Sequence, residues 1–232
     1  ISRTAWRGKM TPEQIHRARS GYYGEVSFID TQIGRLLGMR GDTGLPANTW
    51  IIFTSDHGDM QGDHNLWRKT YAYEGSARIP FLVVPPQNQD RSARRVADEV
   101  VELRDVMPSV LEAAGVAVPR TVDGLSVLPL LKEPAAKWRP YIHGEHCSCY
   151  SHLQEMQYVT DGHRKFIWLP RIPQEQFFDL EKDPGEEHDL IADRGRQKEI
   201  AKWRGYLVKE LESRNCGWVK DGRPHCPDDQ PL

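Results

Sequence analysis

Trp50-Ile-Ile-Phe-Thr-Ser-Asp-His-Gly-Asp-Met-Gln-Gly-Asp-His-Asn-Leu-Trp-Arg-Lys-Thr-Tyr-Ala-Tyr-Glu-Gly-Ser-Ala-Arg-Ile-Pro80 is the stretch from which the fold is read. It opens with an apolar, partly β-branched run, Trp50 to Thr54, too short for a helix and expected to form a buried strand. The apolar character then stops at Asp56-His57-Gly58. Open α/β sheets bind ligands beyond the carboxyl ends of their strands, so a carboxylate and an imidazole at that point are well placed to hold a metal. An Asx-type turn with a hydrogen-bonded histidine accounts for the same three residues equally well. Asp59, Asp63, His64, Arg68 and Lys69 follow within thirteen residues of Asp56. So much charge among so few apolar neighbours predicts a loop folded over a site rather than a packing element.

Taken together, Thr54-Ser-Asp-His-Gly58, Gly62-Asp-His64, Leu66-Trp-Arg-Lys69, Tyr73-Glu-Gly75 and Ala77-Arg-Ile-Pro80 closely resemble the sulfatase family of the alkaline-phosphatase superfamily. The resemblance implies an α/β fold: the C-terminal part of an alkaline-phosphatase-like sandwich, with a small C-terminal antiparallel sheet plus a helix. It also implies that Asp56 and His57 are ligands of a divalent cation, usually calcium, and that Lys69 contacts the sulfate group. An imidazole departs from an all-oxygen shell and leaves manganese or zinc open. His64 is a candidate second contact or general acid, because an unperturbed imidazole titrates near neutral pH.

Sulfatases attack sulfur with a formylglycine made from the Cys or Ser of a Cys-x-Pro-x-Arg-type motif. Cys147, Cys149, Cys216 and Cys226 all stand in other contexts, and the family's paired aspartates near the first strand have no counterpart. The resemblance therefore covers the C-terminal portion of such a fold. The formylglycine and the missing N-terminal half are expected as its partner, and the substrate as a sulfate-ester small molecule or sugar. Two other readings stay open: a phosphomonoesterase or phosphodiesterase of the same superfamily, and a non-catalytic module.

The chain has 232 residues, a net charge of −2 and a hydrophobic fraction of 38%. That length suits one large or two small domains, and the charge gives no reason to expect nucleic acid or an anionic membrane as partner. The longest apolar run, Ile79 to Val84, is far too short to span a bilayer. The compartment stays open. Cys216 and Cys226 suit a disulfide in an exported protein and a reduced pair equally well.

Thr11-Pro-Glu-Gln14 reads as a capping box with proline at the first helical position. Ile15, Ala18, Tyr22, Val26, Ile29, Ile33, Leu36 and Leu37 then recur at steps of three and four, predicting a core-packing helix that ends near Gly38 or Gly41. Ile79 to Val84 predicts a second buried strand, Val96 to Val101 a short one, and Leu103 to Gly115 a helix. Glu74 and Arg78 are expected to form a structural ion pair. A boundary near Lys132 to Pro140 divides the chain into a core portion, 1–135, and a C-terminal subdomain, 136–232. In the second, strands are expected at Tyr141–His146, Gln157–Thr160, Lys165–Leu169 and Gln176–Leu180, with turns at Asp161-Gly162 and Asp183-Pro-Gly185. A helix from Gly195 to Arg214 presents Ile200, Trp203, Leu207 and Leu211 to the sheet, and residues 215–232 read as an irregular tail. The spacing of His143, His146, Cys147, Cys149 and His152 fits no standard closed zinc site. The family resemblance instead makes His143 or His146 a candidate contact to the substrate beyond its sulfate, with a structural histidine as the equal alternative.

Overall fold

A computed structural model of the protein describes residues 8–38, 49–87, 96–131, 137–147, 152–215 and 217–227. Cys149, Cys216 and the side chain of His152 lie outside that description, so the pairing of Cys216 with Cys226 is not addressed.

The first helix, α1 (Pro12–Gly38), starts at the expected capping box: the Gln14 backbone N–H donates to Thr11 Oγ1 and the Thr11 N–H donates back to Gln14 Oε1. Its apolar stripe does not pack on a core. No residue of α1 is buried, and of the stripe Val26, Ile29 and Leu36 are 47%, 53% and 61% exposed. The periodicity was read correctly as helical, but only the first turns of the stripe meet described chain: Ile15 reaches Gly62, and Ala18 and Tyr22 border a cleft with Gln61 and Trp67. Arg19 ties α1 to the loop that follows, donating to the Gln61 carbonyl and to Asp63.

Next come β1 (Ile51–Thr54), a single-turn helix α2 (Glu74–Ala77) and β2 (Phe81–Val84). β1 and β2 pair antiparallel, with Ile51 opposite Val84 and Thr54 opposite Phe81. Both strands were expected to be buried, yet Phe53 and Leu82 are exposed. Ile52 faces a cleft shared with Val110 and Ala113, whereas Phe53 and its cross-strand partner Leu82 stand on the other face.

Residues 96–101 form no strand. The Val100 carbonyl is taken by the Trp138 indole rather than by a neighbouring strand. A 3₁₀ turn at Leu103–Asp105 leads into α3 (Val106–Ala113), and Gly115, at φ +70°, terminates it. The fully buried Asp105 carboxylate accepts from the Leu125 and Glu102 backbone N–H groups and from Arg139, which also grips Glu102.

The C-terminal sheet comprises β3 (Ile142–His146), β4 (Met156–Thr160), β5 (Arg164–Leu169) and β6 (Gln174–Asp179), antiparallel throughout and ordered as in the sequence. The last helix, α4 (Gln197–Ser213), lays Ile200, Trp203, Leu207 and Leu211 against Val159, Phe166, Trp168 and Phe177. Strand alternation sends Met156, Ile167, Phe178 and Leu180 to the opposite face, where they pack on Ala72 and Tyr73. The sheet is thus held between α4 and the segment that descends from Asp56-His57. The tail is not wholly irregular: β7 (Val219–Lys220) and β8 (Arg223–Pro224) pair across Asp221-Gly222, both at positive φ, a hairpin turn that Asp-Gly signals. Among the described residues, no helix is long and apolar enough to cross a membrane.

Candidate functional site

At the end of β1 the chain turns sharply. Ser55 Oγ donates to the His57 carbonyl, and the His57 N–H donates to Asp56 Oδ1. Gly58 then passes so close to α2 that a Cβ there would lie 2.3 Å from the Gly75 carbonyl oxygen. That approach lets the Gly58 N–H donate to the Ser76 carbonyl at 2.8 Å, so only glycine permits this turn.

The result is a convergence on one imidazole nitrogen. His57 Nδ1 lies 2.8 Å from the Gly58 carbonyl and donates to it, which leaves the lone pair on Nε2. Lys69 Nζ donates to that nitrogen at 2.7 Å, and Asp56 Oδ2 lies 3.4 Å from it. The Asp56 carboxylate is largely exposed, at 81%. An oxygen and a nitrogen donor therefore face one point, and an ammonium already places positive charge on the imidazole lone pair. This donor set fits a divalent cation, and the Gly58 carbonyl is the outer partner that fixes the ring. The described residues contain no cluster of three or more His, Cys, Asp or Glu that could hold a metal.

The loop from His57 to Thr70 is strained. Gln61, His64, Asn65, Arg68 and Thr70 all adopt left-handed φ, five of the eight non-glycine residues that do so among those described. Each costs on the order of 1–2 kcal/mol, and such strain gathers where a site imposes geometry. The Met60 N–H donates to the Arg68 carbonyl, closing the loop at its base.

His64 sits away from the Asp56–His57–Lys69 convergence. Its Nε2 donates to the Gly185 carbonyl at 3.0 Å, and its ring stacks on Tyr73 with centroids 4.2 Å apart. The Glu74–Arg78 pair is present at 3.6 Å, but Glu74 holds a closer partner, Lys165, at 2.7 Å. Lys165 and Glu186, both buried, were not singled out from the sequence. A lysine amid Phe166-Ile-Trp168, pointing to the same face of β5 as Ile167, was the available signal.

His143 and His146 point to opposite faces of β3. His143 Nε2 pairs with Gln157, and Nδ1 meets Arg214 at the end of α4. His146 shares the face of Gly144, which packs on the Tyr158 ring. Burial pulls both imidazoles below their ordinary 6.5; Arg214 adds to this at His143, where the Gln157 bond opposes it. In the unfolded chain both would protonate more readily, so stability falls as pH drops from about 6.5 through the folded values. Melting temperatures recorded from pH 7 to 5.5 should decline, and the decline should flatten in a His143→Gln/His146→Gln double variant. An unchanged slope would refute this assignment.

Comparison with known proteins follows this geometry. A sequence model of the family N-sulphoglucosamine sulphohydrolase, C-terminal, matches residues 62–214, and the family Sulfatase matches residues 3–116. An arylsulfatase of Clostridium perfringens (strain 13 / Type A) is 43% identical over 214 residues, 92% of this chain. The chain spans 44% of the length of that relative. Among solved structures, one in complex with its substrate D-glucosamine-2-N,6-O-disulfate superposes with a TM-score of 0.70 at 24% identity, over 83% of this chain and 40% of that one. The phosphonate monoester hydrolase from Silicibacter pomeroyi gives 0.75 at 25%, over 90% and 43%. With the two family matches overlapping over residues 62–116, the chain belongs to the sulfatase family.

Proposed function

We propose that this chain contributes the second half of the active site of a metal-dependent sulfate monoester hydrolase. The observation that carries this reading is the meeting of Asp56, His57 and Lys69 at the His57 Nε2 atom. Asp56 and His57 serve as two ligands of a divalent cation, calcium by family resemblance, with manganese or zinc left open by the imidazole. Such a cation, when bound, screens the ester oxygens and orients the nucleophile. Lys69 exchanges its imidazole partner for a sulfate oxygen, where a compact ammonium stabilises negative charge that builds in the transition state. His64 anchors the loop at Gly185 and Tyr73 and stands as the further candidate acid. His146, on the face of β3 turned toward the loop, is the better placed of the two C-terminal histidines to meet the rest of the substrate, an aryl or sugar sulfate.

The formylglycine nucleophile belongs to a segment outside these residues. The exposed part of the α1 stripe and the exposed alternate positions of β1 and β2 support this, because contiguous apolar surface of that kind is normally covered. The isolated chain should therefore hydrolyse 4-nitrophenyl sulfate no faster than buffer, whereas the full-length protein should do so and lose activity when EDTA removes its metal. Enzyme-like turnover by the isolated chain would overturn the assignment of the nucleophile. A second reading, hydrolysis of phosphate or phosphonate esters, is favoured by the likeness to the phosphonate monoester hydrolase. A kcat/KM higher for a phenylphosphonate monoester than for the sulfate would establish it instead.

A further inference from the structure

The loop that carries His57 and Lys69 is gripped at two points by one turn of the C-terminal subdomain. The turn runs from Asp183 to Glu186, with Glu186 itself at φ +55°. Its Gly185 carbonyl accepts from His64 at 3.0 Å, on the Lys69 arm of the loop. Its Glu186 carboxylate accepts from the Glu74 backbone N–H at 2.6 Å, on the α2 arm. Lys165 locks the two arms together from beneath. Its ammonium, fully buried, donates to the Ala72 carbonyl at 2.7 Å, to Glu74 at 2.7 Å and to Glu186 at 2.8 Å. Three protons meet three acceptors, leaving none unsatisfied.

α2 carries the grip onward. The Ser76 carbonyl, at the centre of α2, accepts from the Gly58 N–H beside His57. One route therefore runs from Glu186 through α2 to His57, and another from Gly185 through His64 toward Lys69. The 2.7 Å contact between Lys69 and His57 bridges the two arms.

A buried ion pair is poor value as stabilisation, since well-packed apolar residues of similar volume do as well or better. Fixing one geometry is what the polar version adds. We infer that Lys165 and Glu186 form a clasp that sets the spacing of the Asp56, His57 and Lys69 groups, acting as positioning residues for the site. The inference rests on the reading of that site given under the proposed function.

The test uses the full-length protein with Lys165→Met, Glu186→Gln and, for comparison, Leu211→Ala in the α4 core on the opposite face of the sheet. Two quantities are read: Mn²⁺ affinity by electron paramagnetic resonance, and the imidazole ¹⁵N signals of His57. Both clasp variants should weaken Mn²⁺ binding by about tenfold, the scale of outer-shell changes at metal sites, and should move the His57 signals. Leu211→Ala should lower the melting temperature at least as much and change neither. Glu186→Gln, isosteric with the native side chain, carries the test if Lys165→Met does not fold. Clasp variants that melt earlier with wild-type Mn²⁺ affinity and His57 signals would overturn the clasp, as would a Leu211→Ala that reproduces their effects. A wild-type protein that binds no Mn²⁺ would overturn the metal assignment at this ion, and the His57 signals would still decide the clasp.

Discussion

Replacing Lys69 by alanine in the full-length enzyme should lower kcat/KM for an aryl sulfate by about 10²–10³-fold, the usual cost of removing one donor aimed at developing negative charge. The reason lies in where the ammonium sits. It is half-buried, on a strained loop, and its hydrogen bond is to His57 Nε2 at 2.7 Å. It braces no core, so the melting temperature should stay within about 2 °C of wild type, as expected for changes outside packing and buried networks. Arginine should not restore the rate, because a planar fork cannot take the place of a compact point charge on the imidazole lone pair. Steady-state kinetics with 4-nitrophenyl sulfate decide the matter. A loss below threefold would remove Lys69 from the reaction.

The largest stability effect is expected at Trp203. It is 3% exposed in the core between α4 and the sheet, edge-on to Tyr206 at 5.4 Å and tilted against Phe177 at 6.5 Å. Trp203→Ala removes one of the three tryptophans of that core and leaves a cavity the sheet cannot collapse to fill. The expected cost is about 3–5 kcal/mol, or on the order of 10 °C in melting temperature for a chain of this size. Urea denaturation followed by far-ultraviolet circular dichroism would measure it. A change under 1 kcal/mol would mean that α4 does not bear on the sheet.

What the sequence made legible was local. The Thr11–Gln14 capping box, the Asp161-Gly162 turn and the α4 stripe through Ile200, Trp203, Leu207 and Leu211 each involve residues within a few positions of one another, so their physics is complete in a short window. The four strands of the C-terminal sheet were bounded to within two residues for the same reason. The candidate pair Asp56 and His57 stood out because charge replaced an apolar run abruptly. The misreadings were of burial and of distance. The stripe of α1 has the correct period for a core face, but whether such a face is covered depends on a partner elsewhere, which periodicity does not encode. Lys165, read as an ordinary strand residue, is fully buried because Ala72, Glu74 and Glu186 lie far from it in sequence and supply its acceptors. Burial there pushes the Glu186 carboxyl up, with Lys165 opposing and Glu74 adding to the shift, and burial takes Tyr158 to about 12. Such values follow from a three-dimensional neighbourhood and from nothing in the local string.

The grip of the Asp183–Glu186 turn also dictates an order of events during synthesis. Its bonds to Glu74 and His64 join residues 112 and 121 positions apart. The Asp56–Lys69 loop leaves the ribosome long before the strand and turn that hold it, and closing connections of that length is slow. Until β5 and the turn arrive, the loop has only the Arg19 contacts and its own Met60–Arg68 bond to hold its left-handed residues. The arrangement of Asp56, His57 and Lys69 is therefore acquired late, and a nascent chain halted before Lys165 carries both candidate metal ligands without the clasp that spaces them.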